Sequence, residues 1–450
     1  MARKETGDIA AGRLTSGQLA ENFSDVAPPL DRQRALIEAS RCHFCYDAPC
    51  IQACPTAIDI PGFIRAISTD NLTGAANKIL EANIFGGQCA RVCPTEILCE
   101  GECVRNDPED KPVEIGALQR YATDWVYERD VQLFTRAAHT GKRIAVVGAG
   151  PAGLTCAHAL ALLGHEVEVF EARAKSGGLN EYGIAEYKVV NFSQREVEWL
   201  LSIGGIRLQH GKALGRDIHL SQLRREYDAV FLGLGLGGVN ALSLGDAALP
   251  GVRDAVDFIA ELRQAVDKAA VPVGRRVVVI GGGNTAIDAA VQSKRLGAER
   301  VTLVYRRGAD AMSATNHEQA FAQAEGVHVI HYAQPVELIA RNGVVAGIRF
   351  EHTRIEHEKL LGSGEFFEID ADVVLKAIGQ VLQADGLSEA SVELLRLNKG
   401  RIVVDADFAT SLAGVYAGGD CVGGKTDLTV QSVADGKHAA AAIHAQLTQA

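Results

Sequence analysis

Arg143-Ile-Ala-Val-Val-Gly148-Ala-Gly150-Pro-Ala-Gly153-Leu154 decides the fold of this chain. A short apolar run suited to a buried strand stops at a glycine-rich turn, and a helix is expected from Leu154 to Gly164. A second strand is expected from Glu166 to Phe170. It ends at Glu171, 23 residues beyond Gly148. Glycines at 148, 150 and 153 let the backbone approach a pyrophosphate. The helix N-terminus offers free N–H groups and partial positive charge, and the Glu171 carboxylate can hold a pair of ribose hydroxyls. The three glycines alone are a weak signal, but strand, helix and acid in their proper places make a dinucleotide site. Ile144 to Gly164 carries no Asp, Glu, Lys or Arg. Its glycines, Pro151 and His158 nevertheless mark a buried strand–turn–helix and not a membrane span.

The same unit recurs 133 residues later, from Gly148 to Gly281. Arg276-Val-Val-Val-Ile-Gly281-Gly-Gly283-Asn284-Thr285-Ala286 opens a second strand, turn and helix, the helix running to about Leu296. The next strand, Arg300 to Tyr305, ends on Arg306 and Arg307 where a ribose-binding acid would stand. A guanidinium suits a 2′-phosphate as a carboxylate suits a free 2′-hydroxyl, so this site reads as NADP-type. The plainer alternative is a solvated, charged strand end. Two units imply two nucleotides. Tyr227 to Gly235 and Ala371 to Gly379 are further strands that end in glycine and are expected to return the chain to the first nucleotide domain. Gly414-Val-Tyr-Ala-Gly-Gly419-Asp420 precedes a helix expected over Thr429 to Gln446. Asp420 at such a strand end can bind the hydroxyls of a flavin's ribityl chain. The following helix N-terminus can face the flavin edge where negative charge develops.

Upstream lie eight of the ten cysteines. They run Cys42-x2-Cys45-x4-Cys50-x3-Cys54-Pro55 and Cys89-x3-Cys93-Pro94-x4-Cys99-x3-Cys103. Disulfides would need an oxidising compartment, and Met1 to Ala20 has no apolar signal region. Zinc sites favour two close-spaced pairs, and Cys-x2-Cys occurs once. Runs at two-to-four-residue spacing that end in Cys-Pro match iron–sulfur loops, so two [4Fe–4S] clusters are expected. Short helices are expected over Asp31 to Arg41, Pro61 to Ile67 and Ala75 to Asn83. Few long apolar faces are visible there, so this part is expected to depend on its clusters for folding. Cys156 and Cys421 stand alone and read as packing residues.

The expected architecture is α/β with an N-terminal all-α domain. A helical bis-[4Fe–4S] domain (1–140) precedes two Rossmann-like nucleotide-binding domains, the second inserted in the first. Residues 141–249 and 377–450 make the FAD domain, and 250–376 the NAD(P)H domain. Composition agrees. The 450 residues are 47% hydrophobic and 22% charged, which supports several cores and excludes general disorder. A net charge of −11 with no Lys/Arg run argues against nucleic-acid binding. Aromatics at 6% beside 47 glycines suit nucleotide turns better than aromatic cages.

Over its whole length the chain resembles the NAD(P)H-oxidising half of dihydropyrimidine dehydrogenase, a separate subunit in bacteria. The stretches that carry the resemblance are Cys42 to Pro55, Ala90-Arg-Val-Cys93-Pro-Thr-Glu, Gly178-Leu179 with Gly419-Asp420, and Asp427 to Lys437. Small subunits of bacterial glutamate synthase look similar, but Ile115-Gly-Ala-Leu-Gln119 and the tail from Thr429 favour the pyrimidine family. The resemblance implies that Cys42, Cys45, Cys50 and Cys103 hold one cluster. It implies that Cys54, Cys93, Cys99 and Gln119 hold the other, leaving Cys89 as a spare thiol. Elementary ligand chemistry leans the other way, because a thiolate is softer than an amide oxygen. The sequence departs from the family at Ser313, where the NADPH-using animal enzyme has a second arginine. It departs again at Lys188, an arginine position expected near the flavin.

The cofactors implied are FAD, two [4Fe–4S] clusters and NADPH or NADH. Hydride would pass from the nicotinamide to the flavin and single electrons onward to the clusters, with no side chain acting as a nucleophile. No eightfold β/α repeat remains to hold FMN. The resemblance therefore implies a hetero-oligomer with an FMN-containing TIM-barrel iron–sulfur subunit that reduces uracil and thymine. The expected setting is cytoplasmic. Competing readings are the glutamate synthase small subunit, a free-standing NAD(P)H:ferredoxin oxidoreductase, and a non-catalytic electron-carrying scaffold. The intact glycine sets argue against the last.

Overall fold

The computed structural model describes residues 8–9, 14–242, 244, 249–383, 395–423 and 426–449. They form two compact units, 27–181 with 191–237 and 382–450, and 1–26 with 182–190 and 238–381.

The larger unit begins with helices. Arg32–Ser40 starts on Asp31, whose side chain accepts the Arg34 N–H at 2.8 Å. Ile60–Ser68 and Leu72–Ala82 are capped in the same way by Asp59 and Asn71. Each cap satisfies an N–H that the helix itself leaves free. These helices bury Phe63, Ile64, Ile67, Ile79 and Leu80 against Leu118, Ala122 and Val126 of the helix Ile115–Glu128. The helical part thus has more of an apolar core than its sequence suggests. The contribution comes from Ile115–Glu128, whose apolar residues recur at helical spacing amid charged ones.

The same unit continues into a five-stranded parallel sheet, in the order Val415–Ala417, Ala229–Leu232, Arg143–Val147, Glu166–Glu171, Ile206–His210. Register runs Arg143 opposite Glu166 through Val147 opposite Phe170. The three strands Val415–Ala417, Ala229–Leu232 and Arg143–Val147 are almost wholly buried, as parallel strands covered on both faces must be, while the edge strand Ile206–His210 is partly exposed. The helix Pro151–Leu162 and the C-terminal helix Thr429–Gln449 pack closely. A Cβ on Gly436 would stand 2.2 Å from the Ala152 carbonyl oxygen.

The second unit repeats the plan. Its parallel sheet runs His328–Ile330, Arg300–Val304, Arg276–Ile280, Val373–Lys376, Val252–Asp254. One face is covered by helices that include Asn284–Arg295, the other by an antiparallel meander of Ala333–Arg341, Val344–Glu356 and Lys359–Asp370. Val373–Lys376 therefore closes this sheet and is not a strand of the first one. It holds the place beside Arg276–Ile280 that Ala229–Leu232 holds beside Arg143–Val147. The compact units also divide the chain differently from the sequence division. The helix Ser16–Asn22 belongs with the second unit, because Leu19 and Phe23 are buried in its core. Asn22 also exchanges hydrogen bonds of 2.8 and 2.6 Å with Arg295.

Candidate functional site

The first turn is built of bare backbone. Gly148 has φ +101°, and a Cβ there would lie 2.2 Å from the Gly233 carbonyl oxygen. A Cβ on Gly153 would lie 1.9 Å from the Gly148 oxygen, so only glycine lets the helix start so close to the strand. Gly178 brings its backbone against Gly150, where a Cβ would meet the Gly150 Cα at 2.8 Å, and Leu179 opens the short helix that follows. This cradle, which any side chain would fill, fits a pyrophosphate on a helix N-terminus. The buried Glu171 carboxylate stands at its edge and accepts the Ala149 and Arg173 N–H groups, each at 2.8 Å.

Asp420 follows Gly419, whose N–H is taken by the buried Asp435 at 3.0 Å. The Ser432 hydroxyl donates to Asp420 at 3.1 Å. Burial, then the nearby Asp427 charge, push the Asp420 carboxyl up to about 6, against the pull of Ser432 and Arg401. Thr429 starts the C-terminal helix and donates its hydroxyl to Asn180 Oδ1 at 2.8 Å. Polyol-binding groups and a helix N-terminus thus lie in one unit with the first turn.

The second turn repeats the device. Gly281 has φ +149°, and a Cβ on it would meet the Ala377 oxygen at 2.2 Å, the counterpart of Gly233 in the first unit. Tyr305 closes on Gly282, and Ser313 Oγ lies 3.1 Å from where a Gly283 Cβ would be. Asn284 and Thr285 open the helix, and Asn284 Oδ1 is buried with no donor among the described residues. Arg306 and Arg307 are exposed and meet no carboxylate among the described residues, so their guanidinium groups are available to an anion. Gly379 lies just before Gln380–Val381, which pairs antiparallel with Gly238–Val239, and Asn240 binds its carbonyl oxygen. Lys188, expected near the flavin, lies in the second unit, where its buried ammonium pairs with Asp288 at 2.8 Å and Glu318 at 2.6 Å. Burial opposes its charge, but these two carboxylates outweigh burial and raise its pKa.

The cysteines gather into two groups. Cys42, Cys45, Cys50 and Cys103 line one cavity. Cys54, Cys89, Cys93, Cys99 and Gln119 line another. Ile60 lines both. Burial, with the neighbouring Cys42 and Cys103, pushes the Cys50 thiol up to about 12. A hydrogen bond with Cys89, together with burial, raises Cys93 well above the usual thiol range. Thiolates crowded this way need a multiply charged cation among them. No three His, Cys, Asp or Glu among the described residues converge tightly enough for a single ion. A cubane spreads its ligands around a wider body, and four or more donors around each cavity fit it. Gln119 Nε2 donates to the Gly86 carbonyl at 2.7 Å, which leaves its Oε1 for the cavity. Cys89, the alternative donor to Gln119, shares that cavity. Cys156 and Cys421 are fully buried, the latter against the Leu232 and Gly418 carbonyl groups.

Two features escaped the sequence. Val430, next to Thr429, lines the second cysteine cavity, which brings the start of the C-terminal helix to that cavity's wall. Glu196, on the helix Ser193–Leu201, is fully buried and accepts the Gly87 and Gln88 N–H groups at 2.9 and 3.0 Å and the Tyr127 hydroxyl at 2.9 Å. It caps, from another element, the helix Gly86–Val92 that carries Cys89. No sequence pattern marks a capping residue more than a hundred positions away.

Fold and site together define a pyridine-nucleotide-dependent flavin oxidoreductase with an iron–sulfur domain. Comparison with known proteins agrees. Residues 19–131 match the model of dihydropyrimidine dehydrogenase domain II, 4Fe-4S cluster, and residues 142–436 match that of the pyridine nucleotide-disulphide oxidoreductases. The chain is 34% identical over 432 residues to the NAD-dependent dihydropyrimidine dehydrogenase subunit PreT of Salmonella typhimurium, covering 96% of this chain and 98% of the relative. It is also 34% identical over 443 residues to the glutamate synthase [NADPH] small chain of Escherichia coli, covering 94% and 93%. Thioredoxin reductase from T. acidophilum shares the fold at a TM-score of 0.55 and 20% identity, over 68% of this chain and 99% of that one. The chain belongs to the NAD(P)H-dependent flavin and iron–sulfur oxidoreductase family that holds these dihydropyrimidine dehydrogenase subunits and glutamate synthase small chains. Among the described residues no helix is long and apolar enough to cross a membrane.

Proposed function

We propose that this chain is the electron-input subunit of a dihydropyrimidine dehydrogenase. FAD would lie on Gly148, Gly150, Gly153, Glu171, Gly178, Leu179, Gly419, Asp420 and Thr429. NAD(P)H would lie on Gly281, Gly283, Asn284, Thr285, Arg306, Arg307 and Gly379. One [4Fe–4S] cluster would take Cys42, Cys45, Cys50 and Cys103, the other Cys54, Cys93, Cys99 and Gln119. When bound, these groups supply hydride acceptance and its division into single electrons.

The protein's share is placement. The glycine turns and helix N-termini hold the diphosphates, and Glu171 and Asp420 accept from sugar or ribityl hydroxyls. The Arg306 and Arg307 guanidinium groups favour a 2′-phosphate over a bare ribose. Ile60 and the apolar walls keep water from the thiolates. One observation carries the proposed direction of flow. Val430 puts the second cysteine cavity against the start of the helix that would face the flavin, within one compact unit.

The acceptor would be an FMN-containing TIM-barrel iron–sulfur subunit, in a cytoplasmic hetero-oligomer, that reduces uracil and thymine. The equal identity to a glutamate synthase small chain supports a second reading, with a different partner on the same cofactors. An anoxic pull-down of the tagged chain from its native cells separates them. Uracil-dependent NAD(P)H oxidation, with none on glutamine plus 2-oxoglutarate, upholds the first. The reverse pattern upholds the second. Viologen reduction alone would point to a ferredoxin.

A further inference from the structure

We propose that Asn83 donates a hydrogen bond from its Nδ2 to a sulfur of the cluster in the Cys54, Cys93, Cys99 and Gln119 cavity, and so raises that cluster's reduction potential. This rests on the reading that a [4Fe–4S] cluster is held there.

Asn83 is fully buried and lines that cavity. It closes the helix Leu72–Ala82, its N–H reaching the Ile79 carbonyl at 2.8 Å. Its side chain cannot be turned over. Oδ1 accepts the Phe85 N–H at 3.0 Å, a bond that an amide nitrogen cannot make. Nδ2 is thereby fixed on the other side, buried, with no partner among the described residues.

A buried amide donor left unmade is costly, and native proteins rarely tolerate one without a reason. The turn at Phe85 does not supply it, since aspartate or serine would accept the same N–H. The other uncharged polar side chains of the cavity are already engaged. Thr95 gives its hydroxyl to Glu100 at 2.9 Å, and Gln119 gives its amide to Gly86. Of the three, only Asn83 has a buried donor nitrogen with no partner among the described residues, and with the Gln119 oxygen given to iron the acceptors left in the cavity are sulfur. A donor to a cluster sulfur stabilises the more negative, reduced form, which raises the potential.

The test uses anoxic holoprotein. Iron and sulfide analysis first establishes whether two clusters are present. Wild-type protein labelled with [15N]asparagine is then reduced with a europium(II) chelate and read by pulsed EPR. In parallel, Asn83→Ser, which keeps an acceptor for Phe85, is titrated against wild type. The expected result is a 15N coupling on one cluster in wild type and a lower midpoint for that cluster in the variant. A tenfold change in its oxidised-to-reduced ratio at fixed potential corresponds to ~59 mV for one electron. The other cluster's midpoint should stay in place as the internal reference. Two clusters with no asparagine coupling and unmoved midpoints would overturn the inference. Iron for only one cluster would instead overturn the site reading beneath it. Should Asn83→Ser fail to fold, the wild-type coupling still decides.

Discussion

Replacing Glu196 with glutamine should remove about 2 kcal/mol of the change in stability between pH 5.5 and 8 in the unit that carries the cysteines and the first nucleotide turn. Glu196 is fully buried, and burial pushes its carboxyl from an ordinary 4.5 up to about 7. Its bonds to Gln88, Tyr127 and Gly87 and the Arg91 charge pull the other way without overcoming burial. Arg91 is itself paired with Asp124 at 2.6 Å. A carboxyl raised in the folded state holds its proton longer than in the unfolded chain. The folded state is therefore favoured below the unfolded pKa and loses that advantage as pH rises through 4.5 to about 7. With the two values given, the loss between pH 5.5 and 8 is about 2 kcal/mol, and about 3 kcal/mol over the whole window. Glutamine keeps an acceptor for both N–H groups but carries no titratable proton. Urea unfolding of anoxic holoprotein, followed by tryptophan fluorescence, reads this unit directly, since both tryptophans, Trp125 and Trp199, lie in it. The stability difference, variant minus wild type, should grow by about 2 kcal/mol from pH 5.5 to 8. Parallel curves across that range would refute the argument.

Three further outcomes follow from the sites. Gly153→Ala puts a methyl where only 1.9 Å separates it from the Gly148 oxygen, so the purified protein should lose its FAD, visible as the absence of flavin absorbance. Cys50→Ser should halve the iron per chain while the second cluster's EPR signal persists; loss of all iron would mean that the two cavities do not load independently. Arg306→Glu should lower kcat/KM for NADPH by roughly tenfold or more, the scale of one lost charge-assisted bond of about 1.5 kcal/mol. The NADH value should change little, and no loss on either nucleotide would assign Arg306 to the solvated strand end.

Much of this was readable in the chain because the chemistry leaves local marks. A glycine that must lie against a carbonyl oxygen, as Gly148 does against Gly233, has no substitute, so the turn is spelled out in twelve consecutive residues. Cysteines that must wrap a cluster fall at short spacings for the same reason. What stayed hidden depends on partners far along the chain. Leu19 and Phe23 give no hint that they pack in a core made mostly of residues beyond Ala255. Lys188 sits in a stretch that reads as flavin-proximal, yet the carboxylates that claim it are on helices about a hundred residues later.

The second cysteine cavity shows why composition alone could not choose its ligands. Five candidate donors line it, and softness ranks Cys89 above Gln119. Geometry adds a constraint that softness ignores. Cys89 lies on a helix whose first N–H groups are held by Glu196. Gln119 has its nitrogen tied to Gly86 and one oxygen left to offer. An anchored amide presents its oxygen without rearrangement. If this is right, Gln119→Cys should keep the cluster and lower its potential by adding a negative ligand, whereas Cys89→Ala should keep the ligand set and move the potential less. Loss of the cluster in Cys89→Ala, with the Gln119→Cys potential unmoved, would exchange the two roles.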